Sequence, residues 1–276
     1  MDPGIRSARG EEMAGPVKGV IFDVDGVLVY QGRVMDGAIE TIQALREREL
    51  ILRLLTNSTL KSRWSCAQKL QGQGFDIDPG EVITASYATA VYLESLQPLS
   101  YWLMLDGEGR DEFPTATLDA ENPEYLVVGD NRSAFDFEHL NQAVRMLLHG
   151  TKLIGMQPEL LDGSMGATEL NVGAWVGMLE RATGVPATYV GKPNRYVFDL
   201  TLQSMGLRPN DVLMVGDRPS TDVVGAQAAG IRSVLMRTGE YDKREMNGIP
   251  PPDFVVDSIQ EVVDIVDSLS GQMILF

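Results

Sequence analysis

Gly19-Val20-Ile21-Phe22-Asp23-Val24-Asp25-Gly26-Val27-Leu28 is the stretch on which the reading of this chain turns. A short apolar run leads without interruption into an aspartate, as in a strand buried on both faces of a parallel sheet. Two carboxylates follow, one residue apart, and then a glycine that allows the chain to turn tightly. In open parallel sheets, ligands sit beyond the carboxyl ends of the strands, so these acids stand where chemistry is expected.

Outward from this strand the pattern repeats. Gly37 to Leu50 has helical spacing, with Ile39, Ile42 and Leu45 on one face. Ile51 to Leu55 reads as a second strand, ending at Thr56-Asn57-Ser58. Lys61 to Gln71 reads as a helix and Val82 to Thr84 as a third strand. The rhythm returns near the other end: a helix over Tyr196 to Met205, a strand Val212 to Val215 running into Gly216-Asp217, and a helix Thr221 to Ala229 closed by Gly230. Ser233 to Met236 and Phe254 to Val256 add strands, and Ile259 to Leu269 a last helix. Strand–helix alternation of this kind predicts an α/β fold with a parallel, Rossmann-like core.

Between the two halves lies a segment with its own strands (Tyr125 to Val128, Lys152 to Gly155) and helices (Phe137 to Leu148, Val172 to Thr183). It is long enough to form a smaller inserted α/β domain. The division expected is a lead-in over 1–16, a core over 17–86 and 188–276, and the insertion over 87–187.

The chain of 276 residues carries a formal charge of −16, a field that repels polyanions and argues against nucleic-acid binding. A single cysteine, Cys66, excludes an intrachain disulfide and reads as a small apolar residue on a helix. Residues 1–16 lack an apolar signal-peptide core, and no apolar run approaches the length of a membrane helix. A cytoplasmic protein without a membrane anchor is the expectation.

The strand ends would gather Asp23, Asp25, Thr56 and Asp217 at one sheet edge. Carboxylates held so close raise one another's pKa, and a hard divalent cation, Mg2+, removes the conflict. Lys192, in Val190-Gly191-Lys192-Pro193, adds a positive charge. Cation and lysine together form a receptor for a phosphoryl group. An aspartate can attack phosphorus, and a carboxylate two residues along can protonate the leaving oxygen and later deprotonate water.

Asp23-Val24-Asp25-Gly26-Val27-Leu28 resembles the first motif of the haloacid dehalogenase-like phosphatases, DxDG(V/T)L. Thr56 is similar to their second motif, Lys192 to the third, and Gly216-Asp217-Arg218-Pro219-Ser220-Thr221-Asp222 to the fourth, in the family's order. The insertion between the second and third motifs, with Thr56-Asn57 and the Gly-Asp-Arg-x-x-Thr-Asp pattern, resembles the NagD-like branch. The resemblance implies Asp23 as nucleophile and Asp25 as acid/base. It implies Mg2+ held by the Asp23 carboxylate, the Asp25 carbonyl and Asp217, with Asp222 nearby or acting through water. Thr56, the Asn57 amide and Lys192 would hold the phosphoryl oxygens. A small phosphorylated metabolite is the implied substrate (a sugar phosphate, nucleotide, phosphoglycolate or pyridoxal phosphate), and a homodimer through the cap the implied assembly.

Two departures stand out. Ser58 replaces a frequent second Asn, though its hydroxyl can still donate a hydrogen bond. In the cap, Ile154-Gly155-Met156-Gln157-Pro158-Glu159 stands where relatives usually read Thr-Asn-Pro-Asp, which separates specificity from catalysis. His139 and His149 read as surface or helix-end residues, and Trp64, Trp102 and Trp175 as core or interface residues. Asp130-Asn131-Arg132 reads either as a turn or as a cleft wall. The rival functions are a phospho-acceptor module of receiver type, which lacks the D-x-D spacing and the insertion, and an inactive phosphate-binding relative.

Overall fold

β1 (Gly19–Phe22) occupies an inner position of the main sheet because all four of its residues can be buried on both faces. A computed structural model describes residues 15–113, 121–132, 135–164 and 166–271; most of the expected lead-in, residues 1–14, lies outside them. After β1 come a small hairpin, β2 (Val29–Tyr30) and β3 (Arg33–Val34), then α1 (Ala38–Glu47), β4 (Ile51–Thr56), α2 (Arg63–Gly72), β5 (Val82–Thr84) and α3 (Ala85–Ser95). The middle of the chain supplies β6 (Tyr101–Met104), β7 (Tyr125–Val128), α4 (Phe137–Leu148), β8 (Lys152–Gly155), the hairpin β9 (Leu161–Asp162) and β10 (Glu169–Leu170), α5 (Val172–Thr183) and β11 (Ala187–Tyr189). The chain then returns through α6 (Arg195–Met205), β12 (Val212–Gly216), α7 (Val224–Ala228), β13 (Arg232–Met236), β14 (Phe254–Val256) and α8 (Glu261–Leu269).

The six-stranded sheet has the order β14-β13-β12-β1-β4-β5 and is parallel throughout. Its register sets up the site. Phe22 stands opposite Leu54 on one side and Val215 on the other, so Asp23 emerges level with the ends of β4 and β12. The Asp23 N–H continues the ladder, donating to the Val215 carbonyl at 2.8 Å.

Alternation along the strands sends apolar side chains to both faces. Val20, Phe22, Leu54 and Val215 pack with Ile42 and Leu45 of α1, Leu70 of α2 and Val262 of α8. Ile21, Leu55 and Met214 pack on the opposite face with Ala88 of α3, Phe198 of α6 and Ala226 of α7. Phe22 is fully buried, and truncating it to alanine would cost about 3–5 kcal/mol.

The second sheet, β11-β8-β7-β6, is also parallel. Leu126, Val128 and Leu153 on one face meet Leu147 of α4 and Val176 and Leu179 of α5. Tyr125, Val127 and Ile154 join the cluster that contains α3.

α3 escapes a sequence reading because it follows β5 with no loop. Thr84 ends the strand and caps the helix, its hydroxyl accepting from the Tyr87 N–H at 3.1 Å. With Ala85, Ala88, Thr89, Ala90 and Leu93 all buried, the helix shows no single apolar stripe. A boundary at 86/87 therefore cuts a helix whose Ala88 and Leu93 pack with Ile21 and Leu55. We propose the division after Ser95 and the return after Tyr189, where β11 ends. Among the described residues no helix is long and apolar enough to cross a membrane.

Candidate active site

The parallel register delivers its acids to one place. Carboxylate oxygens of Asp23, Asp217 and Asp222 all lie within 4.8 Å of one another, and all three residues are buried. Lys192 comes from the loop between β11 and α6. Its Nζ lies 2.8 Å from Asp23 Oδ1 and 2.7 Å from Asp222 Oδ1.

Burial is the leading cause of the electrostatics. It pushes the Asp23 carboxyl up from 3.8 to about 8, with Asp222 and Asp25 adding to the rise while Lys192 opposes it. Asp217 is raised by the same desolvation and by Asp23 and Asp222. Burial disfavours the Lys192 ammonium as well, but the adjoining Asp222 and Asp23 carboxylates outweigh that and hold its pKa above the ordinary lysine value. With all three carboxylates ionised the cluster would hold more negative than positive charge, so a further cation would favour that ionised state.

Asp217 provides the test of fit for a metal. Its Oδ2 accepts the Glu240 N–H at 2.7 Å, whereas the buried Oδ1 has no hydrogen-bond partner. An orphaned carboxylate oxygen facing two further carboxylates is a donor set for a hard divalent cation such as Mg2+. Backbone glycines keep it there. A Cβ on Gly26 (φ +85°) would fall 2.0 Å from Asp217 Oδ2, and one on Gly239 2.2 Å from the same atom. Asp222 differs, because Oδ1 is taken by Lys192 and Oδ2 accepts the Arg218 N–H at 3.1 Å. The geometry thus makes Asp222 first a partner of Lys192.

The remaining expected residues line one cleft of about 410 Å³ that includes Asp23, Asp25, Thr56, Asn57, Ser58 and Lys192. Thr56, buried at the end of β4, has its hydroxyl accepting the Ser58 N–H at 3.1 Å. Asn57 binds the Lys192 main chain through both ends of its amide. Asp25 is half-buried, and burial raises its carboxyl above 3.8, with Lys69 opposing and Asp162 adding. Its carboxylate is not part of the three-aspartate cluster. Asp130 and Arg132 also line the cleft, so the segment after β7 is a cleft wall.

The chain matches the family model of the haloacid dehalogenase-like hydrolases over residues 20–117, and a second HAD-hydrolase-like model over residues 189–262. Over 267 residues it is 32% identical to the phospholysine phosphohistidine inorganic pyrophosphate phosphatase of Bos taurus, covering 94% of this chain and 97% of the relative. It is 30% identical over 255 residues to the dihydroxyacetone phosphatase of Corynebacterium glutamicum (strain R), covering 91% and 92%. NagD from Escherichia coli K-12 superposes with a TM-score of 0.82 at 25% identity, over 89% of this chain and 98% of that one. The chain belongs to the haloacid dehalogenase-like hydrolases, in their NagD-like branch. It is an enzyme, a phosphoric monoester hydrolase, and membership of this family sets aside the receiver-type reading.

For a haloacid dehalogenase-like hydrolase the sequence reading missed one group, the charges that tie the second sheet to the first. Glu159, after β8, is bonded by Arg218 Nη1 and accepts from Asn57 Nδ2 at 2.8 Å. Arg218 also reaches Glu240 at 3.2 Å and Glu245 at 3.6 Å. Glu240 in turn accepts the Gly163 N–H at 2.6 Å. The signal was present, because Glu159 closes the divergent Met156-Gln157-Pro158-Glu159 stretch and Arg218 lies within the fourth motif. Neither position shows its partner without the fold. The other singled-out residues do not line the cleft. Cys66 is buried, which pushes its thiol up to about 12, and Trp175 stacks on Phe135 with centroids 4.3 Å apart. His139 pairs with Asp136 at 2.8 Å and His149 bonds the Arg145 carbonyl at 2.6 Å, while Trp64 is 61% exposed, outside any core.

Proposed function

We propose that this protein is a Mg2+-dependent phosphatase of small phosphorylated metabolites, with Asp23 as the nucleophile. The observation that carries the reading is the buried Asp23–Asp217–Asp222 cluster with Lys192 inserted between Asp23 and Asp222 and with Asp217 Oδ1 unpartnered. Asp23 and Asp217, with the Asp25 carbonyl, would hold the ion, which when bound offsets their repulsion and the charge on the phosphoryl oxygens.

Lys192, Thr56 and the Asn57 amide orient the phosphoryl group over Asp23. An Asp23 carboxylate oxygen attacks phosphorus and forms an aspartyl-phosphate while the ester P–O bond breaks. That electron pair goes to the leaving oxygen, which takes a proton from Asp25. A raised Asp25 pKa suits this donor role. Asp25 then accepts a proton from water as the water oxygen attacks phosphorus, releasing phosphate and regenerating Asp23. The cleft, walled by Asp130 and Glu159 of the second sheet's loops, fits a small leaving group. The bovine relative is named for phospholysine, phosphohistidine and inorganic pyrophosphate, and the corynebacterial one for dihydroxyacetone; both names support a phosphatase.

The test is turnover of p-nitrophenyl phosphate with Mg2+ and with EDTA. Asp23→Asn is expected to be inactive and Asp25→Asn slow or limited to a single turnover. Full activity in Asp23→Asn, or in EDTA, would refute the mechanism.

A further inference from the structure

Five basic side chains line the cleft: Lys61, Lys69, Arg132, Lys192 and Arg218. Four are engaged. Lys192 holds Asp23 and Asp222, and Arg218 holds Glu159, Glu240 and Glu245. Lys61 pairs with Glu108 at 2.9 Å, and Arg132 with Asp130 at 3.0 Å and Glu169 at 2.8 Å. Lys69, on α2, has no hydrogen-bond or ion-pair partner among the described residues.

An unpaired lysine on an exposed helix position is ordinarily just a solvated one. Position distinguishes this one. Lys69 lines the same cleft as Asp25, and among charged groups it exerts the foremost influence on Asp25, opposed there by Asp162. Lys69 is thus near enough to Asp25 to act on its charge, and it is separate from the Asp23–Asp222 pair to which Lys192 is committed. Asp25 and Asp162 line the same cleft, so Lys69 is an uncommitted positive charge among acids there. A second anionic group on the substrate would be repelled by these carboxylates and attracted by this ammonium. A neutral leaving group would gain nothing from it.

We propose that Lys69 is a specificity-determining residue that selects substrates whose leaving group carries a second anionic group, a carboxylate or a phosphate, close to the ester oxygen. The inference rests on Asp25 acting at the leaving oxygen. The ammonium acts as a compact point charge on a flexible stem, so it can meet either kind of anion.

The experiment compares kcat and KM, with Mg2+ present, for 2-phosphoglycolate, inorganic pyrophosphate and dihydroxyacetone phosphate in the wild type, Lys69→Met and Lys69→Arg. These probes supply a carboxylate, a phosphate and a neutral leaving group. For at least one anionic probe, Lys69→Met is expected to lower kcat/KM relative to dihydroxyacetone phosphate by about tenfold, as for one charge-assisted contact. The change should fall mainly on KM, and Lys69→Arg should retain most of the preference. Which anionic probe responds identifies the carboxylate or the phosphate as the group read. An unchanged ratio overturns the proposal. So does an equal loss on all three probes with a displaced pH–rate profile, which would make Lys69 a modulator of Asp25. If the wild type hydrolyses none of these probes and no p-nitrophenyl phosphate, the phosphatase reading falls and this inference falls with it.

Discussion

Asn57 and Lys192 grip each other's segments: Asn57 Oδ1 accepts the Lys192 N–H at 2.8 Å, and Asn57 Nδ2 donates to the Lys192 carbonyl at 3.1 Å. This paired contact fastens the end of β4 to the loop that carries the phosphate-facing lysine. Gly191 permits it, since a Cβ there would fall 2.7 Å from Asn57 Oδ1. Asn57 thus contributes through its side chain as well as through the amide that the motif assigns to phosphate. Asn57→Ala is expected to leave Asp23 in place but release Lys192, lowering kcat by about 10–100-fold. Steady-state kinetics with Mg2+ checks this; a change confined to KM would mean that Lys192 keeps its place without Asn57.

Among the described residues Lys192 is the one ammonium paired with the aspartate cluster, and its side chain is 3% exposed. Lys192→Met would leave Asp23 and Asp222 buried without it, at a cost of about 3–5 kcal/mol in metal-free protein at high pH. The sign of the pH dependence follows from the raised Asp23 pKa. A carboxyl whose folded pKa lies above its unfolded value stabilises at low pH and loses that contribution as pH rises through the folded value. Because Lys192 opposes the rise of the Asp23 pKa, the variant's Asp23 takes up its proton above about 8, so the penalty in Lys192→Met should shrink as pH falls toward about 8 and level off below it. Denaturant unfolding in EDTA at several pH values measures it, and a pH-independent penalty would contradict the assignment.

The strands that carry the site were legible because their apolar runs end abruptly in acids; Phe22-Asp23 and Gly216-Asp217 needed no fold to be noticed. Lys192 and Thr56 were legible mainly through resemblance, since a lysine before a proline and a threonine after a strand are common. Strand order was not. Only the pairing of β1 between β12 and β4 shows why residues so far apart in the chain meet. The Arg218–Glu159 link was beyond reach for a different reason: it joins two sheets through side chains, and sequence periodicity carries no record of such a partner. Lys69 was also silent, because nothing in the spacing of α2 distinguishes a cleft lysine from a solvated one.

Gly26 sits at φ +85°, with Asp217 Oδ2 where a side chain would begin. Gly26→Ala is therefore expected to cost more than about 1 kcal/mol in backbone strain and to displace Asp217. Both effects should appear together: a lower Tm in EDTA, and a Tm gain on adding Mg2+ well below that of the wild type. A variant that loses stability but keeps the full Mg2+ response would separate the turn from the metal site.

Mg2+ and protons should compete for the aspartate cluster. Below about pH 8 Asp23 carries a proton in the metal-free protein, and Asp217 is raised in the same direction. Protons held by these carboxylates must leave before the site can take a cation, so binding releases protons and strengthens as pH rises. Because the ion binds only the folded state, it stabilises in proportion to its occupancy. The Tm difference between Mg2+ and EDTA is expected to be small near pH 5 and to grow through pH 8. Asp217→Asn removes one charge and the orphaned acceptor together, and should abolish most of that difference while leaving the fold intact. Thermal unfolding of both proteins across this range is the measurement. A Mg2+ effect that is constant with pH, or that survives in Asp217→Asn, would show that the ion binds elsewhere on this acidic chain.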